Sequence, residues 1–198
     1  MNSVEKFLRR TPVDESRAAF SVREDPIIPS GPEDEAREPR LQAAEMLGKT
    51  AILQNRAKKI HMVQAAARLK AEWAVFFLVG LLGDPIEEIR GLAVRGLIAR
   101  DDCPIDDVCE RLSRPPWFAK SAALQILAAK KIPATARCIR PVIEDPNADV
   151  RRSAAAALGE IGGPEARSLL VRLERDPSLP VRTAALAALD KVFDFKFT

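Results

Sequence analysis

A segment that occurs four times between residues 89 and 189 constrains the fold of the chain most strongly. The copies begin at Ile89, Phe118, Val150 and Val181 and read IRGLAVRGL, FAKSAALQI, VRRSAAAAL and VRTAALAAL. Successive copies start 29, 32 and 31 residues apart, which is enough chain for two helices and two short turns. Each copy places apolar or small residues at i, i+4 and i+8, the stripe of an amphipathic helix. The spacing therefore predicts a repeat protein whose stacked units share one continuous core.

A partner helix is predicted before each copy, because prolines mark where such helices begin and end. Pro104, Pro133 and Pro164 stand where a first turn tolerates a missing N–H. The predicted partner helices cover residues 73–82, 105–112, 134–143 and 164–173, and a weaker pair at 40–47 and 52–69 opens the array. In the last copy, Val181, Ala184, Ala185 and Leu189 are expected to face inward.

Three of the predicted turns share one motif. An aspartate is followed directly by proline, five residues later by Ile or Val, and six residues later by arginine. The aspartates are Asp84, Asp145 and Asp176, and the arginines are Arg90, Arg151 and Arg182.

With this motif the sequence resembles the HEAT-repeat family, especially the short bacterial form that also occurs in phycobilisome-lyase-like proteins. The resemblance covers residues 74–192 well and 40–70 loosely. It implies an all-α, right-handed α-solenoid of about five HEAT-like helix pairs. In that fold the turn aspartate of one unit meets the second-helix arginine of a neighbour, forming a ladder of charge-assisted hydrogen bonds. The period is shorter than the ~40 residues usual for HEAT units, but the signatures of ankyrin and tetratricopeptide repeats are absent from the sequence.

The unit at Phe118 departs from the motif. Ser113 stands where aspartate is expected and Ala119 where arginine is expected, so both ladder partners are predicted to be missing together. Two aromatic residues, Trp117 and Phe118, lie at this gap. Either they fill core volume, or a kink in the array exposes Trp117 to a partner.

The two ends of the chain differ in composition from the repeats. Residues 1–39 are rich in proline and acidic residues and predict an extended or disordered tail. Residues 40–192 are expected to form the solenoid, and residues 193–198, where phenylalanine alternates with polar residues, an extended aromatic cap. The tail carries apolar residues spaced like anchors for a partner: Phe7, Leu8, Phe20, Ile27 and Ile28.

Few residues in the sequence suit catalysis or metal binding. Cys103, Cys109 and Cys138 contain no Cys-x-x-Cys pair and are predicted to be free thiols. His61 is the only histidine, so a multi-histidine metal site cannot be built. We expect no cofactor and no enzymatic activity. The longest apolar run, residues 73–82, is too short to span a bilayer, and the sequence predicts no membrane insertion and a cytoplasmic location.

The second helices carry two kinds of candidate partner-binding residue. Basic side chains outside the ladder form a thin line of Arg95, Lys120 and Arg152, sparser than a nucleic-acid surface normally shows. Apolar side chains would add a floor if they face solvent, although neighbouring helices could equally bury them. That floor would comprise Ile98, Leu124 and Leu186, together with Val94, Leu127, Ala155, Ala156 and Ala187.

These features favour a non-catalytic adaptor or accessory subunit of a larger protein assembly, with the solenoid surface and the tail as binding elements. Two alternatives remain at this stage. One is a nucleic-acid-binding protein like the HEAT-like DNA glycosylases, and the other is a chromophore-lyase-like modification helper.

Overall fold

The computed structural model describes residues 32–53 and 55–194, with side chains described between 37 and 192. Within this range the chain is all-helical, and none of its helices is long and apolar enough to cross a lipid bilayer. The helices are α1 (Pro32–Ala51), α2 (Arg56–Arg68), α3 (Glu72–Gly80), α4 (Glu87–Ile98), α5 (Ile105–Arg111), α6 (Trp117–Lys130), α7 (Ala136–Ile139), α8 (Ala148–Ile161), α9 (Gly163–Leu173) and α10 (Leu179–Asp194). Short 3₁₀ turns lie at Leu81–Gly83, Pro133–Thr135 and Arg140–Glu144.

The described helices form successive pairs. The second helices of the pairs, α2, α4, α6, α8 and α10, pack each against the next and make one continuous layer. The first helices lie beside them, with α1 packed on α3 and α9 packed on both α8 and α10. Helices α4, α6 and α8 therefore have a neighbour on each side within the layer, whereas α2 and α10 have one, and this decides which of their residues are buried.

The core follows the periodicity of the repeated segments. Their first residues Ile89, Val150 and Val181 are fully buried, and so are Leu97 and Leu158 farther along α4 and α8. In α10 the expected inward residues Ala185 and Leu189 are buried as well, whereas Ala184 is half-buried. The apolar stripe read from the sequence is thus the buried face of each second helix.

Two glycines follow the end of α8. Gly159 lies inside α8, and the helix ends at Ile161. Gly162 and Gly163 have φ values of 69° and 86°, a conformation that side chains with a Cβ rarely adopt. These two glycines therefore make the tight connection from α8 to α9.

Both predicted boundaries of the array move outward in the structure. Helix α1 begins at Pro32, where a first turn tolerates proline, eight residues before the predicted boundary at residue 40. Pro39 lies inside this helix and does not end it. At the other end α10 continues to Asp194, so Phe193 is helical rather than the start of an extended cap. The predicted anchors Phe7, Leu8, Phe20, Ile27 and Ile28, and the cap residues from 195 onward, lie outside the described residues.

Gly159 also permits the close approach of α8 and α10, and this gives a test of the packing. A Cβ added at Gly159 would lie 2.7 Å from the Cβ of Ala188 on α10. We expect Gly159→Ala to lower the free energy of unfolding, because overpacking costs about 1–3 kcal/mol and outweighs the gain in helix propensity. The control is Gly48→Ala in α1, where an added Cβ meets nothing within 4 Å. Thermal and urea melts in which both variants match the wild type would contradict this account of the α8–α10 contact.

Candidate functional site

Three buried aspartates each fix their own turn. In Asp84, Asp145 and Asp176 the Oδ1 atom accepts a hydrogen bond from the backbone N–H two residues later, at 2.9, 2.9 and 2.8 Å respectively. Their side chains are only 5–7% exposed. An aspartate that bonds to the backbone two residues on sets the turn that leads into the next helix.

The same carboxylates join each helix pair to the one before it. Arg151 on α8 binds Asp176 in a bidentate manner, with Nε donating to Oδ2 at 2.7 Å and Nη2 to Oδ1 at 3.0 Å. In each ladder pair the cation precedes its aspartate by 25 residues. The other two pairs are Lys59–Asp84 and Lys120–Asp145, both at 2.6 Å.

The three motif arginines share one further contact. Each donates from Nη1 to the carbonyl oxygen of the aspartate six residues earlier, at 2.9 Å for Arg90, 2.7 Å for Arg151 and 2.8 Å for Arg182. A second bond from the same nitrogen reaches the carbonyl of the adjacent proline. The guanidinium groups are therefore anchored in the same way on their own turns.

Charge pairing shifts the pKa values of Asp176 and Arg151, the last pair, or rung, of the ladder. The hydrogen bonds from Arg151 hold the pKa of Asp176 below its ordinary value, although burial alone would raise it. The same pairing raises the pKa of Arg151. Both groups are thus charged at neutral pH, and this rung is a charge-assisted hydrogen bond.

The structure corrects the alignment of the third unit by one residue. Ala119, not Phe118, takes the fully buried position of Ile89 and Val150, so Lys120 is the counterpart of the arginines. The prediction that both partners are missing was therefore wrong for the cation, because the ammonium of lysine can replace a guanidinium as a point charge. Sequence reasoning also missed Lys59. A regular series of cations, 30 or 31 residues apart, was the available signal: Lys59, Arg90, Lys120, Arg151 and Arg182.

The aspartate of the third unit is absent. Residues 113–116 contain no acidic side chain, and the position six residues before Lys120 is Arg114. The guanidinium of Arg90 lies instead over the ring of Phe118, with Cζ 4.4 Å from the ring centroid. Phe118 is half-buried, and Trp117, which packs edge-on against it at 5.9 Å, is 49% exposed. Of the two alternatives for Trp117, core filling and exposure, the structure has the exposed one.

Half of the predicted apolar floor is interior. Leu124 is 1% exposed and Val94, Leu127 and Ala155 are also buried, because neighbouring helices cover them. These residues cannot contact a partner in this structure. The other four floor residues are exposed: Ile98 at 36%, Leu186 at 52%, and the small residues Ala156 and Ala187.

Of the predicted basic line, two residues remain at the surface. Arg95 is exposed, and Arg152 is exposed while pairing with Asp149 at 3.2 Å. Lys120 does not belong to this group, because Asp145 holds its ammonium in a rung of the ladder. The prediction of Lys120 as a partner-binding residue was wrong, since its counterion comes from the neighbouring unit.

The cysteines are free thiols, as predicted, and His61 is exposed on α2. Burial, together with a hydrogen bond to the thiol of Cys138, raises the pKa of Cys109 to about 12. This thiol is protonated at neutral pH and is a weak nucleophile. The described residues contain no cluster of three His, Cys, Asp or Glu side chains suited to a metal ion.

Successive helix pairs sharing one buried ladder define an α-helical repeat protein of the solenoid class. Residues 105–190 match the family model of HEAT repeats. This segment thus carries HEAT repeats, and the resemblance to the HEAT-repeat family is confirmed there. No curated protein matches the sequence.

The buried rung at Asp176 gives a prediction for stability and its pH dependence. Asp176→Asn should lower the free energy of unfolding at neutral pH by about 1–3 kcal/mol, because Arg151 loses its charged partner. The lowered pKa of Asp176 means that its contribution is full above the ordinary value and is lost as pH falls through the folded-state value. Urea melts from pH 7 downward should therefore show the wild type and the variant converging in acid.

The control for this experiment is Asp149→Asn. Asp149 also pairs with an arginine of α8, but its side chain is 60% exposed. A surface pair of this kind contributes little, so we expect a change within about 0.5 kcal/mol. Equal losses in the two variants would argue against a special role for the buried carboxylate.

Proposed function

We propose that this protein is a non-catalytic adaptor or accessory subunit that binds a partner protein within a larger assembly. HEAT repeats commonly act as protein-interaction scaffolds, and residues 105–190 match that family. The observation that carries the proposal is the exposed apolar surface of α9 and α10. It comprises Val171, Leu179 and Leu186, which are 44%, 63% and 52% exposed.

The position of Leu186 in its helix explains why this surface suits a protein partner. Leu124, Ala155 and Leu186 occupy equivalent positions, 31 residues apart, in α6, α8 and α10. The first two are 0–1% exposed beneath the following second helix, whereas no described helix follows α10. Leu186 therefore has the chemistry of an interior residue in an exposed place. Burying such a side chain contributes about 1.5–3 kcal/mol, which favours the docking of a further helix.

Arg182 adds polar specificity to the same surface. Its Nη1 atom is held by the carbonyls of Asp176 and Pro177, as in Arg151, and it pairs with no carboxylate among the described residues. In Arg151 the other edge of the guanidinium binds the aspartate of the next unit. A partner that packs on α10 and offers a carboxylate to Arg182 would extend the ladder.

Three finer parts of the proposal rest on the sequence. Residues 1–31 are proposed as a tether, because apolar clusters at Phe7, Phe20 and Ile27 interrupt an otherwise polar, proline-rich segment. A right-handed winding of the solenoid is implied by the family resemblance. The proposed setting of the complex is the cytoplasm.

The partner experiment compares a tagged wild-type protein with two changed forms, each purified from its native cells. Leu186→Glu should abolish stoichiometric recovery of the partner, because a charge replaces the apolar contact, while Gln125→Glu at an exposed site of α6 should not. A chain that begins at Pro32 should keep its helical circular dichroism and lose part of the recovery. No stoichiometric partner with the wild type would contradict the adaptor proposal. A lower melting temperature for Leu186→Glu would show that residues of the chain itself cover this surface.

Nucleic-acid binding is the second candidate, favoured only by the exposed Arg95 and Arg152 and the net charge of +3. We expect no submicromolar binding to duplex DNA at about 150 mM salt, because phosphate contacts need a dense set of free cations. Fluorescence anisotropy over a salt series measures this directly. Tight, salt-sensitive binding that is lost in Arg95→Glu combined with Arg152→Glu would replace the adaptor proposal with this one.

A further inference from the structure

The ladder contains an internal vacancy at Arg90. Arg90 and Arg151 have the same anchor, since Nη1 of each donates to the carbonyls of the aspartate and proline of its own turn. In Arg151 the remaining edge, Nε with Nη2, holds Asp176. Arg90 pairs with no carboxylate among the described residues, because the third turn has none to offer. An anchored guanidinium with a free two-nitrogen edge is a preorganised receptor for a carboxylate.

Aromatic side chains stand next to this vacant edge. The Phe118 ring lies against the Arg90 guanidinium at 4.4 Å and holds its plane in place. Trp117 packs edge-on against Phe118 and is 49% exposed, although large aromatic residues are normally buried. Tryptophan and arginine are two of the residue types most enriched among those that dominate binding between proteins.

The third turn carries a cation where the other turns carry the ladder acid. Arg114 stands in the third unit where the other units place the ladder aspartate, so a second cation replaces the expected anion in the turn. Glu110, four residues earlier on α5, pairs with Arg114. Its carboxylate is not paired with Arg90. The local sequence therefore removes the internal acid without replacing it.

We propose that Arg90, Phe118 and Trp117 form a docking site for an acidic peptide segment of a partner protein. An aspartate or glutamate of that segment takes the place of the missing ladder aspartate on the Nε and Nη2 edge of Arg90. An apolar side chain next to the acid packs on Trp117. This inference rests on the proposed protein-binding function and names the chemistry of one contact.

The test uses a peptide that copies the ladder's own acid. The probe is Glu-Arg-Asp-Pro-Ser-Leu-Pro, residues 174–180 of the chain, with an acetylated N-terminus and an amidated C-terminus. Its control, called the Asn control, replaces Asp by Asn and Glu by Gln. The full chain carries Trp73→Phe, so that Trp117 is the only fluorophore of its kind. We expect the acidic probe to change Trp117 fluorescence saturably, and the Asn control to bind at least about tenfold more weakly, because the charged fork contact is lost.

Two arginine variants give the matched comparison. Arg90→Lys keeps the charge but removes the two-nitrogen edge of the guanidinium, and should weaken binding of the probe at least about tenfold. Arg140→Lys changes a surface arginine that pairs with Glu165, and should leave the affinity unchanged. The melting temperature of each variant separates lost binding from lost folding. Trp117→Ala, at an exposed site, supplies a second loss variant, and its binding is measured by calorimetry because it lacks the fluorophore.

Three results would overturn the inference: no saturable binding up to millimolar probe, equal binding of the Asn control, or equal loss in Arg140→Lys. The proposed function is tested separately. A native partner that co-purifies equally with the wild type and with Arg90→Lys would leave the adaptor proposal standing and remove this contact from it. Probe binding at Arg90 without any native partner would support this contact and contradict the adaptor proposal.

Discussion

The buried carboxylate of each Asp-Pro turn is the group on which the arrangement of this protein depends. Asp176 accepts one hydrogen bond from its own turn and two from Arg151 of the preceding pair, so one side chain sets both a local turn and a contact between units. Burying a carboxylate costs several kcal/mol unless all of its hydrogen bonds are made. Because its partners lie in two different units, the turn and the stacking are satisfied together or not at all.

The ladder cations do not all contribute the same constraint. Arg151 spans two turns, since it bonds the carbonyls of its own turn and the carboxylate of the next. Lys59 and Lys120 bind only the next carboxylate, because an ammonium lacks the second edge of a guanidinium. The C-terminal ends of neighbouring second helices are also joined. Lys130 at the end of α6 donates to the carbonyls of Ile98 and Arg100 at the end of α4. Cations suit those carbonyls, which carry the negative end of the helix dipole.

The surfaces proposed for binding occur where this regular pattern is interrupted. At Arg90 the acid is missing within the array, and at Arg182 no described unit follows to supply one. Each interruption leaves a guanidinium that its own turn still holds in position, next to an exposed apolar side chain, Trp117 or Leu186. A structure built from repeated contacts thus gains distinct sites where a repeat is altered or where the described units end.

The sequence by itself determined the helical class, the approximate pairs and the buried face of each second helix, because these follow from local periodicity and from turn residues. The Asp-Pro turns at Asp84, Asp145 and Asp176 were readable for the same reason. Only the tertiary structure decided which cation meets which aspartate, since that depends on the distance between helices. It replaced two of the expected arginine contacts by Lys59 and Lys120 and shifted the third unit by one residue. It also decided that Leu124 is interior while Leu186 is exposed, although both occupy the same place in their repeats, because burial is set by the neighbour that covers a residue and not by the residue itself.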